Sequence, residues 1–479
     1  VDNNNKQPPS LRVFFATEMW ERYGFYVVQS LLALYLALHL QWPDKLVYEL
    51  VGSFTALTYL SPVIGGWIAD NLIGQKKAIL VGLILLCLSY VSLFLFTSQF
   101  SLLASLAGIA VGTGLLKPNI SSLLGNEYAA NSSKRESGFT IFYMGLTTGI
   151  ILGTTLPSQL KFYFGWSAAF ISAAIGLIIA IGTFSYGIKH YKIADYHPQD
   201  ITLSKISKAT VLMFSLWLAC FLILNYTDLA DLAFIIIGVL SIYYLVHTVK
   251  QESGIQAKQT IVIGILCIIS VAFWAFYFQM FLSLTLFISR VVKPELFGIM
   301  FPPPYYVSIQ SFGMLFFGFF LARNKQLFNV TQSGIRASNK FMLAMIFMTI
   351  AYCLITLVSK TGGEIDMLLS PLYFIPAYLM ISIAELLLSP VGLSIISLLA
   401  DRKKVSTMTG TFLASLGIGA YLSGKLANLT AVTNSEELSI GSLKIHYAES
   451  FTEILYFIIA ASLFCFLLTR MIKVLLTEK

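Results

Sequence analysis

Charge is what this sequence has least of: Asp, Glu, Lys and Arg make up 11% of its 479 residues, against 57% hydrophobic ones. An average soluble domain carries about twice that share of charge. With a mean hydropathy of +0.79, the scarcity excludes a water-soluble protein. Cysteine and histidine are also rare, five of each. Cys87, Cys220, Cys267, Cys353 and Cys465 all lie in apolar runs, where a free thiol serves as a small hydrophobe. No Cys or His spacing suits a metal. His39, His190, His197, His247 and His446 fall near loops or span ends. No His–carboxylate or Ser/His set therefore shares one membrane depth, which argues against an enzyme. The net charge of +8 raises the question of a nucleic-acid partner, and its distribution answers against one.

Apolar runs long enough to cross a bilayer recur along the whole chain. Fourteen spans are expected, at 11–40, 46–70, 77–98, 101–126, 138–160, 166–188, 209–226, 232–249, 259–289, 303–323, 340–359, 370–398, 405–430 and 451–475. With the N-terminus inside, the inner loops and tails gather most of the basic residues. Among them are Lys6, Arg12, Lys76, Lys77, Lys134, Arg135, Lys189, Lys192, Lys325, Arg336, Arg402, Lys403, Lys404 and Lys479. The outer side holds Lys45, Lys161, Arg290, Lys293, Lys360, Lys444 and, near a helix end, Lys425. That asymmetry places both termini in the cytoplasm. The first span, long and charged, does not read as a cleavable signal.

Two six-span halves, 1–190 and 259–479, flank a segment at 191–258 that combines a polar linker with two further spans. This inserted hairpin has no charge within its apolar runs and reads as lipid-facing. The expected class is an all-α membrane protein of two six-helix bundles plus a two-helix insertion. Six plus six is the layout of the major facilitator superfamily, which binds its solute near the midplane between the halves. Gly65-Gly-Trp-Ile-Ala-Asp-Asn-Leu-Ile-Gly-Gln-Lys-Lys77 is similar to that superfamily's cytoplasmic loop motif. Gly65 and Gly66 permit close helix approach.

Glu18, Glu21 and Arg22 stand inside the first span, at about 2.5–3.5 kcal/mol each for insertion at membrane depth. A chain tolerates such a cluster when it faces water, pairs internally and has a task. Glu18 and Arg22 are four apart and share a helix face. Tyr26 follows Arg22 by one turn. Two carboxyls beside a guanidinium titrate as a coupled set, so an anion on Arg22 would free a carboxylate to take a proton. A purely structural ion pair is the alternative. Lys117 precedes Pro118, where a helix bends, and needs an anion at that depth. Glu385 lies alone in Met380-Ile-Ser-Ile-Ala-Glu-Leu-Leu-Leu388. A cationic end (Arg22, Lys117) and an anionic end (Glu385) fit a zwitterionic solute head to tail.

These segments resemble those of a known family. Glu18-Met-Trp-Glu-Arg-Tyr-Gly-Phe-Tyr26 closely resembles the first-helix signature of the proton-dependent oligopeptide transporters. Ala56-Leu-Thr-Tyr59, Gly112-Thr-Gly-Leu-Leu-Lys-Pro-Asn-Ile-Ser121, Phe139-Thr-Ile-Phe-Tyr-Met-Gly145, Phe273-Trp-Ala-Phe-Tyr-Phe-Gln279 and Ala384-Glu-Leu-Leu-Leu-Ser-Pro-Val-Gly-Leu-Ser394 resemble its second-, fourth-, fifth-, seventh- and tenth-helix segments. The inserted hairpin resembles that of the prokaryotic members. The resemblance implies proton coupling through Glu18, Glu21, Arg22 and Glu385. It implies substrate contact by Arg22, Tyr26, Tyr59, Lys117, Thr147, Trp274, Gln310, Glu385 and Ser389, and an inner gate formed by Lys117 and Glu385. It also implies a bacterial inner-membrane location, short peptides and protons as partners, and no cofactor beyond the proton gradient.

Several positions depart from the family pattern. Many relatives carry an Arg seven residues after the motif Arg, where this chain has Gln29. Its usual acidic partner, just before the Gln of the seventh-helix motif, is Phe278. Both members of an outer-gate ion pair are thus neutral, and losing both avoids stranding a buried charge. Thr147 and Gln310 replace family Asn residues, and Thr411 replaces a Trp, a change expected to enlarge a side-chain pocket. The leading reading is proton-coupled symport of di- and tripeptides or peptide-like molecules into the cytoplasm by alternating access. The alternative is a uniporter or exporter of another small amino-acid-like solute. A receptor without transport is a third reading, and the pathway charges on both halves argue against it. One chain supplies a whole pathway, so a monomer is expected.

Overall fold

A computed structural model describes residues 7–96, 98–128, 133–193, 195, 202–323, 334–362, 366–401, 404–433 and 438–477. Fifteen α-helices build it: α1 Leu11–Leu34, α2 Asp44–Ile68, α3 Gln75–Leu95, α4 Gln99–Asn126, α5 Ser133–Phe164, α6 Trp166–His190, α7 Leu203–Asn225, α8 Thr227–Gln251, α9 Gly254–Tyr277, α10 Ser283–Val291, α11 Pro304–Arg323, α12 Gly334–Thr361, α13 Ile375–Leu399, α14 Val405–Ala427 and α15 Ile440–Thr477. Every expected span coincides with a helix, the ninth with the broken pair α9 and α10. Eleven helical stretches among the described residues are long and apolar enough to cross a membrane. The helix α1, which carries Arg12, Glu18, Glu21 and Arg22, is not among them. Lys6, Lys325, Arg402, Lys403 and Lys479, read above as inner basic residues, lie outside the described residues, as does much of the polar linker after Ile193.

Membrane helices gain no hydrophobic drive from packing on one another, so close backbone approach at small residues takes its place. The face Gly145, Gly149 and Gly153 of α5 lies against Phe15, Met19 and Tyr23 of α1. A Cβ at Gly149 would overlap the Met19 carbonyl and crowd Arg22 Cβ. Gly65 of α2 meets Gly114 of α4 in the same manner, as expected of the double glycine, and Gly52 meets Gly424 of α14. Local irregularities fall where side chains repair the backbone. The turn Phe278–Phe281 between α9 and α10 is a 3₁₀ segment. There Gln279 Nε2 donates to the Ser423 carbonyl at 2.8 Å, and Ser283 Oγ donates to Gln279 Oε1 at 2.6 Å. A two-residue hairpin pairs Glu295–Leu296 with Ile299–Met300. Its tip, Phe297 and Gly298, has positive φ at both positions, as a type I′ turn requires.

By packing, the chain falls into two units. One holds residues 1–31 and 57–226, the other 32–56 and 227–479. The boundary at Tyr226 and Thr227 passes through the inserted hairpin, and each arm has its own support. Trp217 Nε1 of α7 donates to the Ala104 carbonyl of α4 at 3.0 Å, and its ring stacks between Phe214 and Phe221. In the second unit Phe234 of α8 stacks on Tyr421 of α14 at 4.2 Å, and the Tyr421 hydroxyl donates to Asp231. Both arms are only 11% buried over their most apolar stretch, which fits the lipid-facing reading.

The N-terminal residues of α2 belong with the second unit and are fastened there by charge. Arg290 of α10 forks onto Asp44, with Nη1 2.6 Å from Oδ2 and Nη2 2.7 Å from Oδ1. Nη1 also donates to the Tyr447 hydroxyl at 2.8 Å, and the Val432 amide donates to Asp44 Oδ2 at 2.9 Å. Farther along α2, Glu49 accepts from Lys425 at 3.3 Å and from Asn428 at 3.1 Å.

Candidate functional site

In the first unit the charges of α1 form one cluster. Arg22 Nε lies 3.2 Å from Glu18 Oε1 and 2.5 Å from Glu21 Oε2. Neither approach is aligned as a hydrogen bond. Arg22 Nη2, Glu18 Oε2 and Glu21 Oε1 are buried and have no hydrogen-bond partner among the described residues. One guanidinium faces two carboxyl groups, so the cluster holds one acid more than its cation balances and still offers a donor and acceptors. Glycine on α5 sets its position, because any larger residue at Gly149 would push α5 away from Met19 and Arg22. The Phe25 ring lies 5.4 Å from the guanidinium carbon, a cation–π distance.

Three other sequence-predicted residues of this unit, Tyr26, Tyr59 and Lys117, interact with the cluster. Tyr26 and Tyr59 lie within electrostatic reach of Arg22. Lys117 of α4 places its ammonium 4.5 Å from the centre of the Tyr59 ring and shares the field of Arg22, Glu21 and Glu18. Its ammonium has no hydrogen-bond partner among the described residues. Thr147 of α5 is half-buried, and its hydroxyl donates to the Tyr143 carbonyl at 3.0 Å. Tyr143, one turn earlier, is 58% exposed and interacts electrostatically with Glu18. Tyr143 stands in the Phe139–Gly145 segment and is not among the residues to which the sequence assigns a role. The signal available was its helical spacing from Thr147.

The second unit holds its own group. Glu385 of α13 accepts on Oε2 from the Tyr277 hydroxyl at 2.8 Å and from Gln310 Nε2 at 2.5 Å. Gln310 of α11 is itself held, since its carbonyl accepts from the Ser382 hydroxyl at 2.7 Å. Trp274 stacks on Phe278 with ring centres 5.3 Å apart and meets Tyr277 edge-on at 4.8 Å. Its indole N–H is buried without a hydrogen-bond partner among the described residues. Ser389 lies one turn beyond Glu385 and is half-buried. Tyr277 was missed from the sequence. A buried tyrosine needs a partner for its hydroxyl, and a lone Glu was the partner on offer. Thr411 sits elsewhere: its hydroxyl donates to the Thr407 carbonyl at 3.0 Å, and its side chain lines a cavity with residues of α8 and α9.

No group of three or more His, Cys, Asp or Glu residues suited to a metal occurs among the described residues. Helices long and apolar enough to cross a membrane, with charges buried against one another in the first unit, fit a multi-pass membrane transporter. The family model described as POT family matches residues 76–444, and the chain belongs to that family. It is a transporter, not an enzyme.

Relatives extend the match over nearly the whole length. The chain is 29% identical to dipeptide and tripeptide permease A of Klebsiella pneumoniae (strain 342) over 455 residues, covering 93% of this chain and 88% of that protein. It is also 29% identical to dipeptide and tripeptide permease A of Escherichia coli (strain K12), covering 90% of this chain and 87% of the relative. Among solved structures, a bacterial homologue of the human drug peptide transporters PepT1 and PepT2 superposes with a TM-score of 0.84 at 25% identity, covering 97% and 99% of the two chains. A peptide transporter POT crystallised with alafosfalin gives a TM-score of 0.85 at 23% identity, covering 99% and 96%, and supports the fold.

Proposed function

We propose that this protein carries di- and tripeptides or peptide-like molecules into the cytoplasm together with protons, by alternating access of two six-helix halves, 1–190 and 259–479. The α1 cluster carries the reading. Arg22 presents a buried N–H with no hydrogen-bond partner among the described residues, and one carboxylate oxygen each of Glu18 and Glu21 is likewise unpaired beside it. A peptide carboxylate on Arg22 would compete with these two acids for the guanidinium, and the displaced acid would take a proton. Glu385, braced by Tyr277 and Gln310, is the counterpart for a peptide amine, with Trp274 and Ser389 beside it. Tyr26, Tyr59, Lys117 and Thr147 line the carboxylate end. Lys117 and Glu385 form the inner gate in this cycle.

The basic residues concentrate on one set of loops, which supports an inner-membrane orientation with both termini in the cytoplasm. A complete set of pathway residues in one chain supports a monomer. The permease names of the relatives support the substrate class.

The test is uptake into proteoliposomes with labelled dialanine, at acidic and at neutral outer pH, beside Glu21→Gln. Acid-driven accumulation in the wild type that is lost in Glu21→Gln, with counterflow retained, is the expected result. Gln29 and Phe278, neutral where many relatives hold an ion pair, favour one second reading, a uniporter. Counterflow without any pH dependence would select it.

A further inference from the structure

The second unit contains a cavity of 570 Å³ between α8, α9 and α14 that the transport reading does not use. It exists because its walls are small: Gly238 and Ser241 of α8, Gly264 of α9, Thr411 and Ser415 of α14. A Cβ at Gly238 or Gly264 would meet only ordinary van der Waals contacts, at 3.9 and 3.6 Å, so no backbone fills the space. The hydroxyls around it are spent. Ser415 donates to Ser270 at 2.9 Å, Thr411 to the Thr407 carbonyl and Ser241 to the Ile237 carbonyl at 2.8 Å. What remains to line the cavity is methylene and methyl surface, which selects an apolar occupant. Its lips, Ile242, Val246 and Ile268, are exposed large hydrophobics, as a lipid-facing surface requires.

Length and charge then identify the occupant. From Gly238 to Lys250 the groove follows α8 for twelve residues, about 18 Å, close to one leaflet of a hydrocarbon core about 30 Å thick. Lys250 closes one end, in the last turn of α8. The nearby acid, Glu252, does not oppose an anion there, because Lys404 pairs with it at 3.0 Å and the Thr260 hydroxyl donates to it at 2.5 Å. An apolar trough of one-leaflet length ending in a lysine matches a lipid with a negative headgroup. We propose that this groove holds one acyl chain of an anionic phospholipid whose phosphate rests on Lys250, a resident lipid that fills the space between the inserted hairpin and the second bundle.

The test is native mass spectrometry of the full-length protein, extracted in mild detergent and titrated with phosphatidylglycerol or phosphatidylethanolamine. The wild type is expected to retain one phosphatidylglycerol. Gly264→Leu, which fills the groove from a position with room for a side chain, should lower that occupancy about tenfold, and Lys250→Gln about fivefold. Lys360→Gln, outside the groove, should leave it unchanged. Wild-type retention in Gly264→Leu would overturn the site. Equal retention of phosphatidylethanolamine would overturn the headgroup assignment. A dimer that Gly264→Leu converts to monomer would give the groove to a second copy of the chain and overturn the lipid. Should Gly264→Leu not fold, Gly238→Leu approaches the same space from α8 and carries the same expectations. The readout is lipid mass and not uptake, so it stands apart from the peptide-transport reading.

Discussion

Each unit buries an arginine against acids, and the two arrangements are opposites. Around Asp44 and Arg290 nearly every polar atom has a partner: both carboxylate oxygens, both terminal guanidinium nitrogens, a backbone amide and a tyrosine hydroxyl. Around Arg22 the ions touch without being saturated, and Nη2, Glu18 Oε2 and Glu21 Oε1 stay unpaired. A buried fork whose carboxylate oxygens and terminal guanidinium nitrogens are all paired, with Arg290 Nε alone lacking a partner among the described residues, is a fastener, because breaking it strands a charge. A buried cluster with open valences is a receiver, because a ligand or proton can complete it. The difference lies in geometry and not in residue type, so composition alone would rank the two sites as equals.

The comparison breaks most easily at the fastener. Arg290→Ala leaves Asp44 buried without its cation and should cost about 3–5 kcal/mol, read as a large fall in unfolding temperature in detergent. Removing both partners, Asp44→Ala with Arg290→Ala, should recover most of that loss. Wild-type stability in the single variant would mean that the pair fastens nothing. At the receiver the outcome reverses: Arg22→Ala should abolish dialanine counterflow yet cost only about 1 kcal/mol of stability, since protons can neutralise the two acids left behind. Equal stability losses at both sites would erase the distinction.

Smaller effects sharpen the contrast. Tyr277→Phe removes one donor from Glu385, about 1 kcal/mol, and should raise the KM for peptide about fivefold with only a slight fall in unfolding temperature. Smallest of all, Lys425→Met should shift stability by less than about 1 kcal/mol. Lys425 bridges Glu49 and Asp231 at 3.3 and 2.8 Å while its side chain is 32% exposed, so added salt should shrink even that effect.

Much of this was legible in the sequence because it is local. Hydropathy runs locate the helices, since a span must be apolar for its full length. Glu18, Glu21 and Arg22 announce themselves as charges that the surrounding apolar run does not explain. Asp44 and Arg290 could not be paired in advance, being 246 residues apart, and in the sequence Arg290 counts only as an outer-side charge. The break at Phe278 was invisible for a different reason: Gln279 repairs it through Ser423, a residue 144 positions away. The contact of α5 with α1 was readable and was not read. Gly145, Gly149 and Gly153 recur every four residues, a small-residue ladder that marks a helix crossing.

The two arms of the inserted hairpin are only 11% buried over their most apolar stretch, and on a lipid-facing reading that has an evolutionary consequence. A lipid-facing position asks only for hydropathy, not for a particular shape. Along α7 and α8, leucine, isoleucine, valine and phenylalanine are therefore expected to exchange freely, so the hairpin should diverge faster among relatives than α1 or α13. Within that drifting surface, the few positions that meet protein, Trp217 on α4 and Phe234 on Tyr421, should be the slow ones.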